Sequence, residues 1–175
     1  MSNEPLHLRT PEFSLDSFLE YLQIENGVMV EIGSYTGESA ECFAKSGKFK
    51  EIYCVDQWLN NYSPYDIGGT YCDMKIVEAA FDKRIKPFKF IDKIKASSKE
   101  GVKQFPDAFF DMVYIDANHD YEYALEDIVL WKPKVKIGGY LCGHDYMYAV
   151  PLVIMNTMGR EPDKIFPDTS WAFKL

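Results

Sequence analysis

The run Val28-Met29-Val30-Glu31-Ile32-Gly33-Ser34-Tyr35-Thr36-Gly37, with Ile52-Tyr53-Cys54-Val55-Asp56 after it, constrains the fold of this 175-residue chain more than any other segment. Val28 to Ile32 is short, apolar and rich in β-branched residues, and it begins after an Asn26-Gly27 turn signal. That is the pattern of a strand buried on both faces of a parallel sheet. The strand stops at Gly33, and glycines at 33 and 37 allow a sharp turn and a close approach of a ligand to the main chain. Glu38 to Lys45 then opens a helix with acidic residues in its first turn, where the helix dipole favours them. A second short strand ends at Asp56, whose carboxylate can accept two ribose hydroxyls; charge-assisted hydrogen bonds of this kind contribute roughly 1.5–3 kcal/mol. The spacing reads as a nucleotide-cofactor site, with Glu31, Gly33, Ser34, Tyr35, Gly37, Asp56 and Gln57 as its candidate residues.

Two cofactor classes compete for such a site. A dinucleotide needs G-x-G-x-x-G, whose middle glycine admits the pyrophosphate. Here that position is Tyr35, and Glu31 stands just before the turn. A bulky side chain and an acid both oppose a diphosphate, whereas a sulfonium carrying an amino group tolerates the acid. The pattern E-x-G-x-x-x-G after the first strand, with an acid closing the second, resembles class I S-adenosylmethionine-dependent methyltransferases. The alternatives are a nicotinamide-dependent oxidoreductase and a cofactor-binding domain without catalysis.

The length fits one domain, 1–175, with an N-terminal helical segment over 1–27 and a core over 28–175. Nineteen basic against 27 acidic residues leave a net charge of −8 with no basic stripe, which argues against nucleic acid as a partner. Cys42, Cys54, Cys72 and Cys142 form no C-x-x-C pair, as expected of reduced thiols in the cytoplasm. No apolar run approaches the ~20 residues of a membrane helix.

Along the chain, Ser14 is a candidate cap for a helix carrying Leu15, Phe18, Leu19 and Leu22 at helical spacing. The stretch 57–72, with aromatics at 58, 62, 65 and 71, reads as a lid or substrate-contacting loop. A helix at about 73–84, a strand near 89–91, a helix near 98–105 and a strong strand over 109–115 follow. A helix over 122–131 is stopped by Pro133, and Gly138-Gly139 leads into a strand over 140–143. Pro151 can open a helix to about Met158, and 165–166 with 171–173 form a closing hairpin. Alternating strands and helices give an α/β, doubly wound, mostly parallel sheet whose ligand crevice lies at the carboxyl ends of the strands. The methyltransferase resemblance implies seven strands, the last inserted antiparallel.

A second constellation sits at two strand ends. Asp116, Ala117, Asn118 and His119 follow the fourth strand, and His144 and Asp145 follow the fifth. Two carboxylates at neighbouring strand ends suit a hard divalent cation such as Mg²⁺, and a histidine ligand shifts preference toward Mn²⁺, Fe²⁺ or Zn²⁺. The sequence D-x-x-H-x-Y, a helix ending in Trp131-x-Pro133, Gly-Gly, a strand and His-Asp resembles a metal-dependent small-molecule branch of the class I methyltransferases. That branch includes macrolide sugar O-methyltransferases and relatives described as cephalosporin hydroxylases. The resemblance implies Asp116 and Asp145 as metal ligands, with His144 beside them where many relatives have Glu, and His119 as general base. It also places Asp116 against the cofactor, and Ser97 where many relatives have an adenine-contacting acid. Asp120 is a candidate helix cap, and Trp131 and Trp171 are candidate core residues. The expected reaction is methyl transfer to an oxygen of a small polar acceptor, a sugar or glycosylated metabolite. The short N-terminal region offers little to cover the site, which leaves room for neighbouring subunits of a homo-oligomer to complete it.

Overall fold

The structure, a computed structural model, describes residues 2–7, 14–60 and 70–175. Its elements are α1 (Asp16–Tyr21), β1 (Gly27–Ile32), α2 (Glu38–Lys45), β2 (Phe49–Asp56), α3 (Met74–Ile85), β3 (Ile91–Lys95), α4 (Ser98–Gly101), β4 (Phe110–Ile115), α5 (Tyr121–Trp131), β5 (Val135–Gly143), α6 (Val150–Met158), β6 (Lys164–Ile165) and β7 (Trp171–Lys174). The strands form one sheet in the order β3-β2-β1-β4-β5-β7-β6. β1 to β5 pair in parallel, and β7 runs antiparallel between β5 and β6. This is a doubly wound, Rossmann-like sheet with the antiparallel strand that the methyltransferase resemblance implies.

The central strands are hydrophobic because both faces are covered. All six residues of β1 are buried. Met29, Met112, Tyr114 and Cys142 pack toward Phe18, Phe43, Val77 and Phe81 of α1, α2 and α3. Val30, Val113 and Leu141 pack on the opposite face toward Ile128, Trp131, Val153 and Ile154 of α5 and α6. Phe18, Phe43 and Tyr114 meet edge to face at centroid separations of 5.0–6.3 Å. Such pairs add about 0.5–1.5 kcal/mol each beyond their buried area. Trp131 and Trp171 are core residues, 0% and 1% exposed.

Several local expectations are corrected. Ser14 does not cap α1; Leu15 occupies the cap position without a side-chain bond, and Ser14 Oγ accepts from the Asp16 amide instead. The third strand is Ile91–Lys95, displaced from 89–91, because the flanking Phe88 and Phe90 pack from the side while the edge strand itself alternates Ile with Asp and Lys. The helix near 98–105 is a single α-turn, Ser98–Gly101, continued as a 3-10 turn over Val102–Gln104. β5 starts at Val135, so Gly138 and Gly139 lie inside it; the β4–β5 register shifts there, and a Cβ at Gly139 would meet Asp111 O at 2.9 Å. Among the described residues no helix is long and apolar enough to cross a membrane.

Register decides which side chains share the rim. Val55, Ile32, Ile115, Gly143 and Trp171 are paired in one row across β2, β1, β4, β5 and β7. The next residue of each parallel strand therefore stands at the same edge: Asp56, Gly33, Asp116 and His144.

Candidate active site

The β1 end of the rim is a turn made of backbone. The Gly33 amide donates to Val55 O (2.9 Å) and the Gly37 amide to Ser34 O (2.7 Å). Tyr35 is held left-handed at φ 45°, a conformation disfavoured for a side chain of this size. Asp56 compensates by accepting from the Tyr35 amide at Oδ2 (2.9 Å) and from the Trp58 amide at Oδ1 (2.8 Å). Trp58, also left-handed at φ 42°, returns its indole N–H to Tyr35 O (2.9 Å). Asp56 is thus a knot between two strained turns. Trp58 is 4% exposed and packs against Phe81 with ring centroids 4.8 Å apart, so it is packing and not the substrate contact the 57–72 segment suggested. Tyr62 and Tyr65 of that segment lie outside the described residues, and Tyr71 is exposed.

Gly33 also serves the protein itself. A Cβ there would lie 2.3 Å from Asp116 O, at a φ of +86°. The loop after β4 approaches the main chain closely at this glycine. Glu31 is fully buried beneath the turn, accepts from the Cys54 thiol at Oε2 (3.8 Å), and with burial pushes that thiol well up from its ordinary pKa. Ser34, 2% exposed, lies beside the same thiol. Gln57 stands half-buried after Asp56. Ser97 caps α4 by accepting from the Glu100 amide, and the neighbouring Ser98 hydroxyl bridges Trp131 Nε1 and the Asp127 carboxyl. Burial pushes Asp127 up to about 7. Arg84, which sequence reading passed over, pins the cofactor turn from α3: Nε donates to Thr36 O, and the guanidinium reaches Glu41 and Glu38.

The β4–β5 end is built from charge. His119 Nε2 lies 2.8 Å from Asp145 Oδ2 and 3.8 Å from Asp116 Oδ1. His144 Nδ1 lies 3.1 Å from Asp145 Oδ2 and 3.9 Å from Asp116 Oδ1. Asp145 reaches in because its backbone is left-handed, φ 51°. Burial alone would lower the His119 pKa, but the Asp116 and Asp145 carboxylates beside the ring outweigh it and push the imidazolium up to about 10. Burial works against the Asp145 anion too, yet His119 and His144 hold its carboxyl well below the usual range. His119 sits in the loop before α5. Asp120 occupies the cap position of α5 but forms no side-chain cap; the Asn118 side chain accepts from its amide instead.

One ligand atom each from Asp116, His144 and Asp145 fall within 4.8 Å of one another. Two carboxylates and an imidazole at that separation fit a divalent cation of the Mn²⁺ or Mg²⁺ kind. A further acid, Asp168 in the β6–β7 turn, stands behind His144 with Oδ2 3.9 Å from Nε2. Sequence reading missed it, because only the antiparallel insertion of β7 beside β5 brings residue 168 to this rim.

Comparison with known proteins agrees with the fold. An rRNA methylase from Streptococcus thermophilus superposes with a TM-score of 0.62 at 13% identity, covering 97% of this chain and 99% of that one. The tRNA (m1A58) methyltransferase of Aquifex aeolicus gives 0.63 at 11% identity over 89% of this chain and 55% of that one. A putative caffeoyl-CoA O-methyltransferase from Staphylococcus aureus gives 0.56 at 16% identity, over 81% and 60%. The chain spans a quarter of the length of another such neighbour, a phosphoethanolamine N-methyltransferase of Haemonchus contortus. At these identities the likeness shows the fold. None of the curated protein sequences matches this chain. A family model described as a methyltransferase domain matches residues 30–146, more than half of the sequence, and the chain belongs to that methyltransferase family.

Proposed function

We propose that the protein transfers a methyl group from S-adenosylmethionine to an oxygen of a small polar acceptor, a sugar or glycosylated metabolite. The observation that carries this reading is that one rim joins a nucleoside-type turn on β1 and β2 to a cluster of two carboxylates and two histidines on β4 and β5. Family membership supports the donor. Asp56 is the group to receive the ribose hydroxyls, with the 33–37 turn and Gln57 around it. Asp116, whose amide donates to Ile32 O (2.8 Å), ties the donor half to the acceptor half. The net charge of −8 supports a small molecule over nucleic acid as acceptor.

The methyl donor is already activated, so the chain has two tasks: to align hydroxyl, methyl and sulfur, and to remove the hydroxyl proton. Alignment is worth up to ~7–11 kcal/mol and a positioned base about 10²- to 10⁴-fold in rate. His119 Nε2 faces the cluster and is the atom to take the proton. Asp116, His144 and Asp145 would hold a divalent ion, which when bound lowers the hydroxyl pKa and orients the acceptor. Neutralising the two carboxylates also removes what keeps His119 protonated.

The test is calorimetric titration with S-adenosylhomocysteine, with and without Mn²⁺, followed by transfer of a labelled methyl group to a panel of sugars and glycosylated metabolites. Product labelled at a hydroxyl, lost in chelator, is expected. No binding of S-adenosylhomocysteine at millimolar concentration would overturn the donor assignment, and transfer unaffected by chelator would overturn the metal.

A further inference from the structure

His144 presents its two ring nitrogens to two different acids. Nδ1 faces the Asp145 and Asp116 carboxylates, and Nε2 faces Asp168 Oδ2 at 3.9 Å. Asp168 is 2% exposed, in a turn of the C-terminal hairpin closed by Phe166 and Thr169, the latter left-handed at φ 70°. The Ser170 amide donates to Asp168 Oδ1 (3.2 Å) and the Ser170 hydroxyl to Oδ2 (2.8 Å). That hydroxyl lies 2.9 Å from the buried Tyr114 phenol of β4. The backbone that carries the imidazole is fixed as well: Trp171 Nε1 donates to His144 O, the His144 amide to Ile115 O, and the Tyr146 amide to Thr169 O. A buried acid is costly unless it is hydrogen-bonded and faces a donor or a charge, and this one is aimed past its own turn at a histidine of the rim.

Resting on the metal reading above, we propose that Asp168 is a positioning residue that selects the Nε2–H tautomer of His144 and so turns the Nδ1 lone pair toward the cation held by Asp116 and Asp145. An imidazole that gives Nδ1 to a cation must carry its proton on Nε2, and that N–H needs an acceptor on the far side. Asp168 stands on that side, its Oδ2 3.9 Å from Nε2 and so short of a formed hydrogen bond, and the Tyr114-Ser170 pair holds it there. Outer carboxylates of this kind fix the ring and raise its basicity, and their loss typically costs about 10- to 100-fold in metal affinity.

The experiment is Mn²⁺ titration of the whole protein, followed by electron paramagnetic resonance of the free ion, on wild type, Asp168→Asn, His144→Gln and the double variant. Ser170→Ala serves as a milder perturbation should Asp168→Asn fold poorly. Expected are a loss of about 10-fold or more for Asp168→Asn, a smaller loss for Ser170→Ala, and no added loss from Asp168→Asn once His144 is Gln. S-adenosylhomocysteine affinity in chelator should stay within twofold across the set. A wild-type protein that binds no Mn²⁺ at millimolar concentration overturns the metal reading together with this role. Wild-type binding that Asp168→Asn leaves unchanged, or an equal loss in both His144 backgrounds, overturns the role alone.

Discussion

The two ends of the rim hold their shape by different means. The β1–β2 end is backbone: a glycine turn, two left-handed residues, and one carboxylate, Asp56, which accepts from two amides. The β4–β5 end is charge: Asp116, Asp145, His119 and His144, with Asp168 behind them. Substitutions at the first end should act through shape and be indifferent to metal and pH. At the second end they should act through charge and leave the donor alone.

The largest effect is expected where the two ends touch. Gly33→Val forces a Cβ into Asp116 O at a backbone φ of +86°. Strain and clash together should cost about 3 kcal/mol or more in stability. The variant should lose S-adenosylhomocysteine and Mn²⁺ binding at once, measured by calorimetry and thermal unfolding. Retained Mn²⁺ binding would show the halves to be less joined than the contact implies. Next in size, Asp145→Asn should lower methyl transfer by ~10²-fold or more, since it weakens the cation and frees His119 from its partner. Full turnover in this variant would remove Asp145 from the reaction.

A smaller effect concerns pH and stability. The folded His119 pKa, about 10, lies above its ordinary value of 6.5. Its ion pairs therefore stabilise the fold fully below about pH 6.5, and that contribution fades as the pH rises through about 10. With 37% of the side chain exposed, solvent screens much of the gain. His119→Gln should be slightly less stable than wild type at pH 6, and the difference should vanish by pH 10.5 in chelator, as read by urea unfolding. A constant difference across that range would show that the contacts, not the charge, matter.

Much of this rim was legible in the sequence because its residues are local to strand ends. Glu31, Gly33 and Asp56 follow apolar runs short enough to be buried strands, and Asp116, His144 and Asp145 follow two more. Adjacency of β4 and β5 then brought the acids together. What escaped had no local signal. Asp168 depends on where β7 inserts, a pairing between residues far apart in the chain. Trp58 lies in a polar, aromatic-rich stretch, and only the position of Phe81 on α3 shows that its ring is buried. Edge strand β3 alternates Ile with Lys and Asp, and its Lys93 and Lys95 pair with Glu78, so its boundary could not be read from hydrophobicity.

The division of the rim is tested most directly by titrating S-adenosylhomocysteine, in chelator, into folded Asp56→Ala and Asp145→Asn. Asp56→Ala should lose about tenfold or more in affinity, ~1.4 kcal/mol per decade, while Asp145→Asn should stay within twofold of wild type. Unchanged binding by Asp56→Ala, or a loss at Asp145→Asn as large as at Asp56→Ala, would contradict the assignment of donor and acceptor to separate ends.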